Sequence, residues 1–292
     1  MSQLQQPTFE RVRLDTGLSS RWLRWRGKAA QGHTVVLLHG YQDFGHTWQQ
    51  TVNCGLLGQF DLVAPDARGH GDSDHVGPGG YYHFMDYAAD LRSIISQLEF
   101  SRLSLVGHSM GGSVAAYYTG SHPEQVHKLA LIEGLGPPTD ERAPVDRVRN
   151  WVGDAAKRRT QPANRYETLD ALTARVARDD PRLPEGSARY YAEHSSRELA
   201  GGVRELKYDP LLRAMGPRPF QLDYAGEFWD RIACPVLYVH GRDSWYNGIS
   251  DLEERLLRFR DLRRVTLNNT GHMIQRDVPD QLGPVLTSFL AD

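Results

Sequence analysis

Short runs of Val, Leu and Ile recur along the chain, separated by stretches whose apolar residues fall at helical spacing. Eight such runs predict strands at 9–14, 21–26, 34–38, 62–64, 103–106, 129–132, 236–240 and 264–267. The first two alternate apolar and charged residues, as an antiparallel edge with one wet face does. The middle ones, such as Val35-Val36-Leu37-Leu38, are continuously apolar, as strands covered on both faces are. The pattern therefore predicts an α/β fold: one eight-stranded, mostly parallel sheet with helices on both faces. Between Gly136 and Tyr224 the strand signals stop. Pro137-Pro138, Pro181 and Pro184 punctuate that stretch, and 166–178 and 187–199 carry helical patterns. This predicts a helical insertion at 136–224, splitting a core domain into 1–135 and 225–292. The insertion carries 16 Arg plus Lys and 14 Asp plus Glu, a mixture expected of solvated helix faces.

Composition narrows the possibilities. With 292 residues, 40% hydrophobic and 24% charged, the chain can bury a sizeable core. Its 34 basic and 36 acidic residues nearly cancel, leaving −2, so no global field attracts nucleic acid and none is expected as a partner. No apolar run approaches the roughly 18 to 20 residues of a membrane helix, so no membrane span is expected. The first residues, Met1 to Pro7, lack the basic start and apolar stretch of an export signal, and a cytoplasmic location is expected. Cys54 and Cys234 lie far apart without metal-site spacing and are expected to be buried free thiols. Oligomeric state is not legible in these patterns.

The most informative stretch is Leu105-Val106-Gly107-His108-Ser109-Met110-Gly111-Gly112. An apolar strand runs into G-x-S-x-G and a small-residue helix leaves it, which forces Ser109 into a sharp turn with its hydroxyl exposed. A serine hydroxyl needs a base at neutral pH, and histidine is suited to that exchange. Of 12 histidines, His272 lies just after the last predicted strand, where a parallel sheet presents its catalytic loops. His39 and His108 are expected to bond locally instead. A developing oxyanion needs fixed backbone donors. The amide of Tyr41, in the loop after strand 34–38, and that of Met110 are the candidates. This chemistry requires no metal and no organic cofactor.

The chain resembles the α/β-hydrolase fold family over nearly its whole length. The resemblance rests on the His39-Gly40 loop, Asp66-Ala67-Arg68-Gly69-His70-Gly71-Asp72-Ser73, Gly107 to Gly112, and Gly271-His272, in that order. Within the insertion, Tyr190 to Leu212, with Gly201-Gly202-Val203 and Asp209-Pro210, is similar to the branch called serine hydrolase-like proteins. The resemblance implies that the insertion after the sixth strand is a cap over the nucleophile, and that Asp66 and Arg68 are scaffold. It also implies a triad acid, usually three residues after the Gly that ends the seventh strand. Counting from Gly241 reaches Ser244, with Asp243 one residue early. Other members carry the acid at the end of the sixth strand, where this chain has Glu133. Glu133 is the preferred acid and Asp243 the alternative. The implied activity is hydrolysis of a carboxylic ester-type bond in a small, apolar molecule through an acyl-enzyme. Carbon–carbon bond hydrolysis, or ligand reception with little turnover, uses the same fold. Aromatic residues of the cap and its flank, among them Trp151, Tyr191, Tyr224 and Trp229, either line a pocket or pack cap on sheet.

Overall fold

In the computed structural model, which describes residues 6–27, 32–140 and 142–291, the eight apolar runs pair into one sheet. Residues 1–5, part of the stretch read as lacking an export signal, lie outside the described residues. In chain order the sheet contains β1 (Thr8–Arg13), β2 (Ser19–Trp25), β3 (His33–Leu38), β4 (Asp61–Pro65), β5 (Arg102–His108) and β6 (Lys128–Ile132). After the insertion, which holds β7 to β9, come β10 (Val236–Gly241) and β11 (Leu262–Leu267). The spatial order is β1-β2-β4-β3-β5-β6-β10-β11. β1 and β2 run antiparallel to their neighbours; the remaining pairs are parallel.

Two-sided burial explains the continuous apolar runs. Along β5, Leu103 and Leu105 pack on one face while Val106 faces the other; along β6, Leu129 and Leu131 alternate with Ala130 and Ile132 in the same way. The first face is covered by helices Phe84–Ile95, Met110–Ser121 and Leu222–Trp229, the second by Pro279–Ala291 and the turns over 45–56. Truncating Leu105, fully buried, to Ala would cost about 2–5 kcal/mol. Among the described residues no helix is long and apolar enough to cross a membrane.

Two expectations need correction. The stretch after β6 is not free of strands: β7 (Arg165–Tyr166), β8 (Ser196–Glu198) and β9 (Arg204–Leu206) form a small antiparallel sheet in the order β7-β9-β8. The pattern at 187–199 is a helix only over Ser187–Ser195, because the chain turns extended at Ser196, whose hydroxyl donates to the Ala192 carbonyl at 2.7 Å. The pattern at 166–178 becomes helix Leu169–Asp179, started by Thr168, whose side chain accepts from the Ala171 amide. Helix Pro144–Arg159 completes the stretch. A minor core of Leu172, Ala192 and Leu206 holds these pieces together. The cysteines are both free, and Cys234 is buried, but Cys54 is exposed. Its helical turn is pressed at Gly55 against Gly283, which leaves the Cys54 side chain on the outer surface.

Candidate active site

The site lies where β3, β5, β6 and β11 end. Ser109 follows β5 directly and caps helix Met110–Ser121 with φ 50° and ψ −115°, a conformation most side chains avoid. Glycines make the turn possible. A Cβ at Gly107 would come within 2.4 Å of the Gly112 nitrogen, and one at Gly111 within 2.4 Å of the Leu38 carbonyl oxygen. The Ser109 amide donates to the Ile132 carbonyl at 2.9 Å, tying the turn to the end of β6.

A line of hydrogen bonds leaves the hydroxyl. Ser109 Oγ stands 3.1 Å from His272 Nε2, and His272 Nδ1 stands 2.6 Å from Glu133 Oε2. These partners assign the tautomer: Nδ1–H donates to the carboxylate and Nε2 accepts from the hydroxyl. Glu133, with φ 46°, is fully buried, and its other partners come from the end of β10. The Gly241 amide donates to Oε1 at 2.9 Å, and Ser244 Oγ donates to Oε2 at 2.6 Å. A buried carboxylate is costly unless its lone pairs are met, and here three donors meet them. Asp243 is placed apart from this line. Its side chain is about half exposed and lies 3.9 Å from Arg182, a residue of the segment after β6.

The other histidines of the region bond locally. His108 Nε2 donates to the His272 carbonyl at 2.8 Å, and burial, with His272 beside it, holds its pKa well below the ordinary value. Neutral His108 therefore supports the His272 loop from beneath. His39 Nδ1 donates to the Gly40 carbonyl at 2.7 Å, and its Nε2 accepts from the Ala67 amide at 2.9 Å. Asp66 accepts from the amides of Gly45 and Asp72, and Arg68 pairs with Asp90 and Asp86, which fixes the turn after β4.

The loop after β3 passes close to the serine: a Cβ on Gly40 would stand 3.4 Å from Ser109 Cβ. Tyr41 follows, and the chain then turns at Gln42 with φ 58°, whose amide donates to His70 Nε2 at 3.0 Å. Tyr41 and Met110 thus flank Ser109 from two elements. The Tyr41 hydroxyl donates to the Leu212 carbonyl at 2.9 Å, so the segment after β6 reaches over this loop. Among the aromatics of the stretch after β6 and its flank, Tyr191 and Trp229 are packed inside, Trp229 stacking on Phe259 with ring centres 5.9 Å apart, whereas Tyr224 is exposed.

Four site residues escape sequence reasoning. Ser244 is the donor to Glu133. Tyr246 stacks on His272 at 5.7 Å between ring centres, and exposed Trp245 leans on it at 4.9 Å. The Tyr246 hydroxyl also accepts from the Leu135 amide and donates to the Gly136 carbonyl. Arg255, wholly buried, donates to the carbonyls of Leu135, Gly136 and Pro137 at 2.8, 3.1 and 3.0 Å. The Gly136 amide is met by Ser113 Oγ at 2.9 Å. Leu135, Gly136 and Pro137 are thereby bolted to the core before the chain leaves it. The only sequence signal was the run Ser244-Trp245-Tyr246 in the loop after β10.

Comparison with known proteins bears on the family and the fold. Residues 33–278 match the family model of the alpha/beta hydrolase fold. A serine hydrolase-like protein of Danio rerio is 31% identical over 295 residues, covering 97% of this chain and 90% of its own. The crystal structure of the hypothetical protein PA1622 of Pseudomonas aeruginosa PAO1 superposes with a TM-score of 0.85 at 24% identity, covering 99% of this chain and 100% of that one. A thioesterase domain from the curacin biosynthetic pathway superposes with a TM-score of 0.82, also at 24% identity and with the same coverage. The chain belongs to the alpha/beta hydrolase fold family, with the serine hydrolase-like proteins among its relatives.

Proposed function

We propose that the chain is a serine hydrolase that cleaves a carboxylic ester-type bond of a small molecule through an acyl-enzyme. Ser109 Oγ attacks the carbonyl carbon and gives its proton to His272 Nε2. The amides of Tyr41 and Met110 hold the oxyanion of the tetrahedral intermediate. Collapse breaks the bond to the leaving group, which takes the proton from His272. Water then attacks the acyl carbon with His272 again as base, and release of the acid restores Ser109. Glu133 keeps Nδ1 protonated and offsets the charge that His272 gains in each half. Residues 136–224 act as the cap, contributing Leu212 above Tyr41 and Arg182 beside the His272 loop.

The observation that carries the reading is the unbroken line from Ser109 through His272 to Glu133, starting from a serine held in a strained turn. The test is labelling with a fluorophosphonate probe, followed by turnover of p-nitrophenyl esters of increasing chain length. Labelling of the wild type that vanishes in Ser109→Ala, with turnover favouring one chain length, is the expected result. A folded wild type that neither labels nor turns over any ester removes the hydrolase and leaves a receptor.

A further inference from the structure

In sequence the insertion mixes basic and acidic residues evenly, but the fold sorts them. Helix Pro144–Arg159 carries five basic residues and two acidic ones. It runs beside the strip that follows Asp209, and the strip is fastened on both sides. The Tyr41 hydroxyl donates to Leu212 and the Tyr81 hydroxyl to Ala214, while Arg147 Nε donates to Gly216. Helix and strip enclose an open groove of about 410 Å³. Arg142, Arg147, Lys157 and Arg213 line it, and among the described residues Asp154 is the one acidic residue in the lining.

The available carboxylates do not balance these cations. Asp140, outside the groove, serves both Arg142 and Arg147. Asp154 lies 3.5 Å from Arg158, a further cation. Asp146 pairs with Arg149. Lys157 and Arg213, both exposed, have no carboxylate partner among the described residues. The groove therefore holds a local positive excess on a chain whose total is −2. One wall is tied to the loop after β3. Arg213 follows Leu212, which holds the Tyr41 hydroxyl, and its charge partly offsets the burial that pushes the Tyr41 phenol up to about 12. Trp151 and exposed Met215 add apolar surface to the same walls. A planar guanidinium can grip two oxygens of a carboxylate or a phosphate with paired hydrogen bonds. We propose that this groove binds an anionic oxygen group, a carboxylate or a phosphate, carried by the substrate at the end remote from the bond that Ser109 cleaves. The assignment of that end to a substrate rests on the hydrolase reading above; the anion site does not.

The test measures equilibrium binding to Ser109→Ala, so that the probes stay intact. Hexanoyl-coenzyme A is compared with hexanoyl-N-acetylcysteamine, which shares the thioester but lacks the phosphates. Monohexyl adipate is compared with hexyl methyl adipate, which masks the carboxylate. At about 0.02 M sodium chloride at least one anionic probe should bind about tenfold more tightly than its neutral twin, and the gap should close at about 0.5 M. The double variant Lys157→Ala/Arg213→Ala, changed only at exposed side chains, should lose the gap and bind the neutral twin as before. The pair that shows the gap tells carboxylate from phosphate. Equal binding within both pairs, or a gap that survives in the double variant, overturns the proposal. Fluorophosphonate labelling of the wild type is read separately, so loss of the hydrolase reading and loss of the anion site leave different results.

Discussion

The sheet and the segment that follows β6 are held by different forces. Between strands and flanking helices the contacts are apolar and closed, with Leu37, Leu105, Leu131 and Val239 fully buried. The later segment also sends Leu211, Leu212 and Ala214 into that core, but it adds contacts through polar and titratable groups. His46 Nδ1 and the Tyr190 hydroxyl are 2.8 Å apart, and the His46 and His194 rings stack at 3.8 Å. Lys207 reaches Asp72 at 2.8 Å, and the Tyr82 hydroxyl donates to Asp209 at 2.6 Å. Asp180 of the segment faces Asp277 of the core, and burial with that neighbour raises its pKa to about 7. Apolar contacts are indifferent to pH; these are not. The groups that would do chemistry stand on the first kind of contact and the segment after β6 partly on the second, so the two can be disturbed separately.

The largest effect expected from breaking the rigid side is loss of the nucleophile. Ser109→Ala should lower kcat by about 10⁴-fold or more and leave the melting temperature near wild type. Turnover that survives would move the chemistry elsewhere. Next comes Glu133→Gln, which keeps the shape of a buried side chain and should cost about 10³ to 10⁴ in kcat. Asp243→Asn should stay within about fivefold, since its half-exposed contact with Arg182 is weak. The reverse order would make Asp243 the acid.

Ser244→Ala should cost less than Glu133→Gln, about ten- to a hundredfold in kcat, the worth of one hydrogen bond to a charged group. Glu133 would then hold the His272 proton more strongly, so the acid limb of the pH–rate profile should move to higher pH. A lower kcat with an unmoved profile would reduce Ser244 to packing.

The smallest effect belongs to the cover. Burial, then the neighbouring His194 and the charges of Arg21 and Lys207, lowers His46 to about 2; burial, then Lys207 and Arg21, lowers His194 to about 4, with Asp72 opposing. Their ordinary value is 6.5, so the opened state takes up protons first. The contact is at full strength above about pH 6.5 and weakens as pH falls toward about 4. Asp180 works in the opposite sense: the contact gains from its proton at low pH and loses that gain as pH rises through about 7. Hydrogen exchange should show helix Ser187–Ser195 losing protection between about pH 6.5 and about pH 4 while β5 does not, and His194→Phe should flatten that loss. Equal acid loss in the variant would clear the histidine pair of the effect.

Legibility in sequence follows the same division. The central strands β3 to β6 and β10 announce themselves because both faces are buried, which demands unbroken apolar runs, whereas β1 and β2 show as alternation. β7 and β9 are two and three residues long and carry Arg165, Arg204 and Glu205, so no hydrophobic period betrays them. Ser109 and His272 are legible because a turn and a strand end constrain their immediate neighbours. The donors to Glu133 are not, because Gly241 and Ser244 lie 108 and 111 residues away and meet it only through pairing of β6 with β10. The groove is hidden for a related reason: counting charges along the chain averages over both faces of helix Pro144–Arg159.

The fastening of Leu135 to Pro137 by Tyr246, Ser113 and Arg255 has a consequence for protein engineering. It acts as strain relief on a cable: tension from whatever hangs beyond Pro137 is taken up before it reaches Glu133. A foreign module spliced in downstream of that anchor should leave the catalytic geometry undisturbed, making the scaffold a socket for interchangeable covers, whereas loosening Arg255 would let every new cover retune the acid.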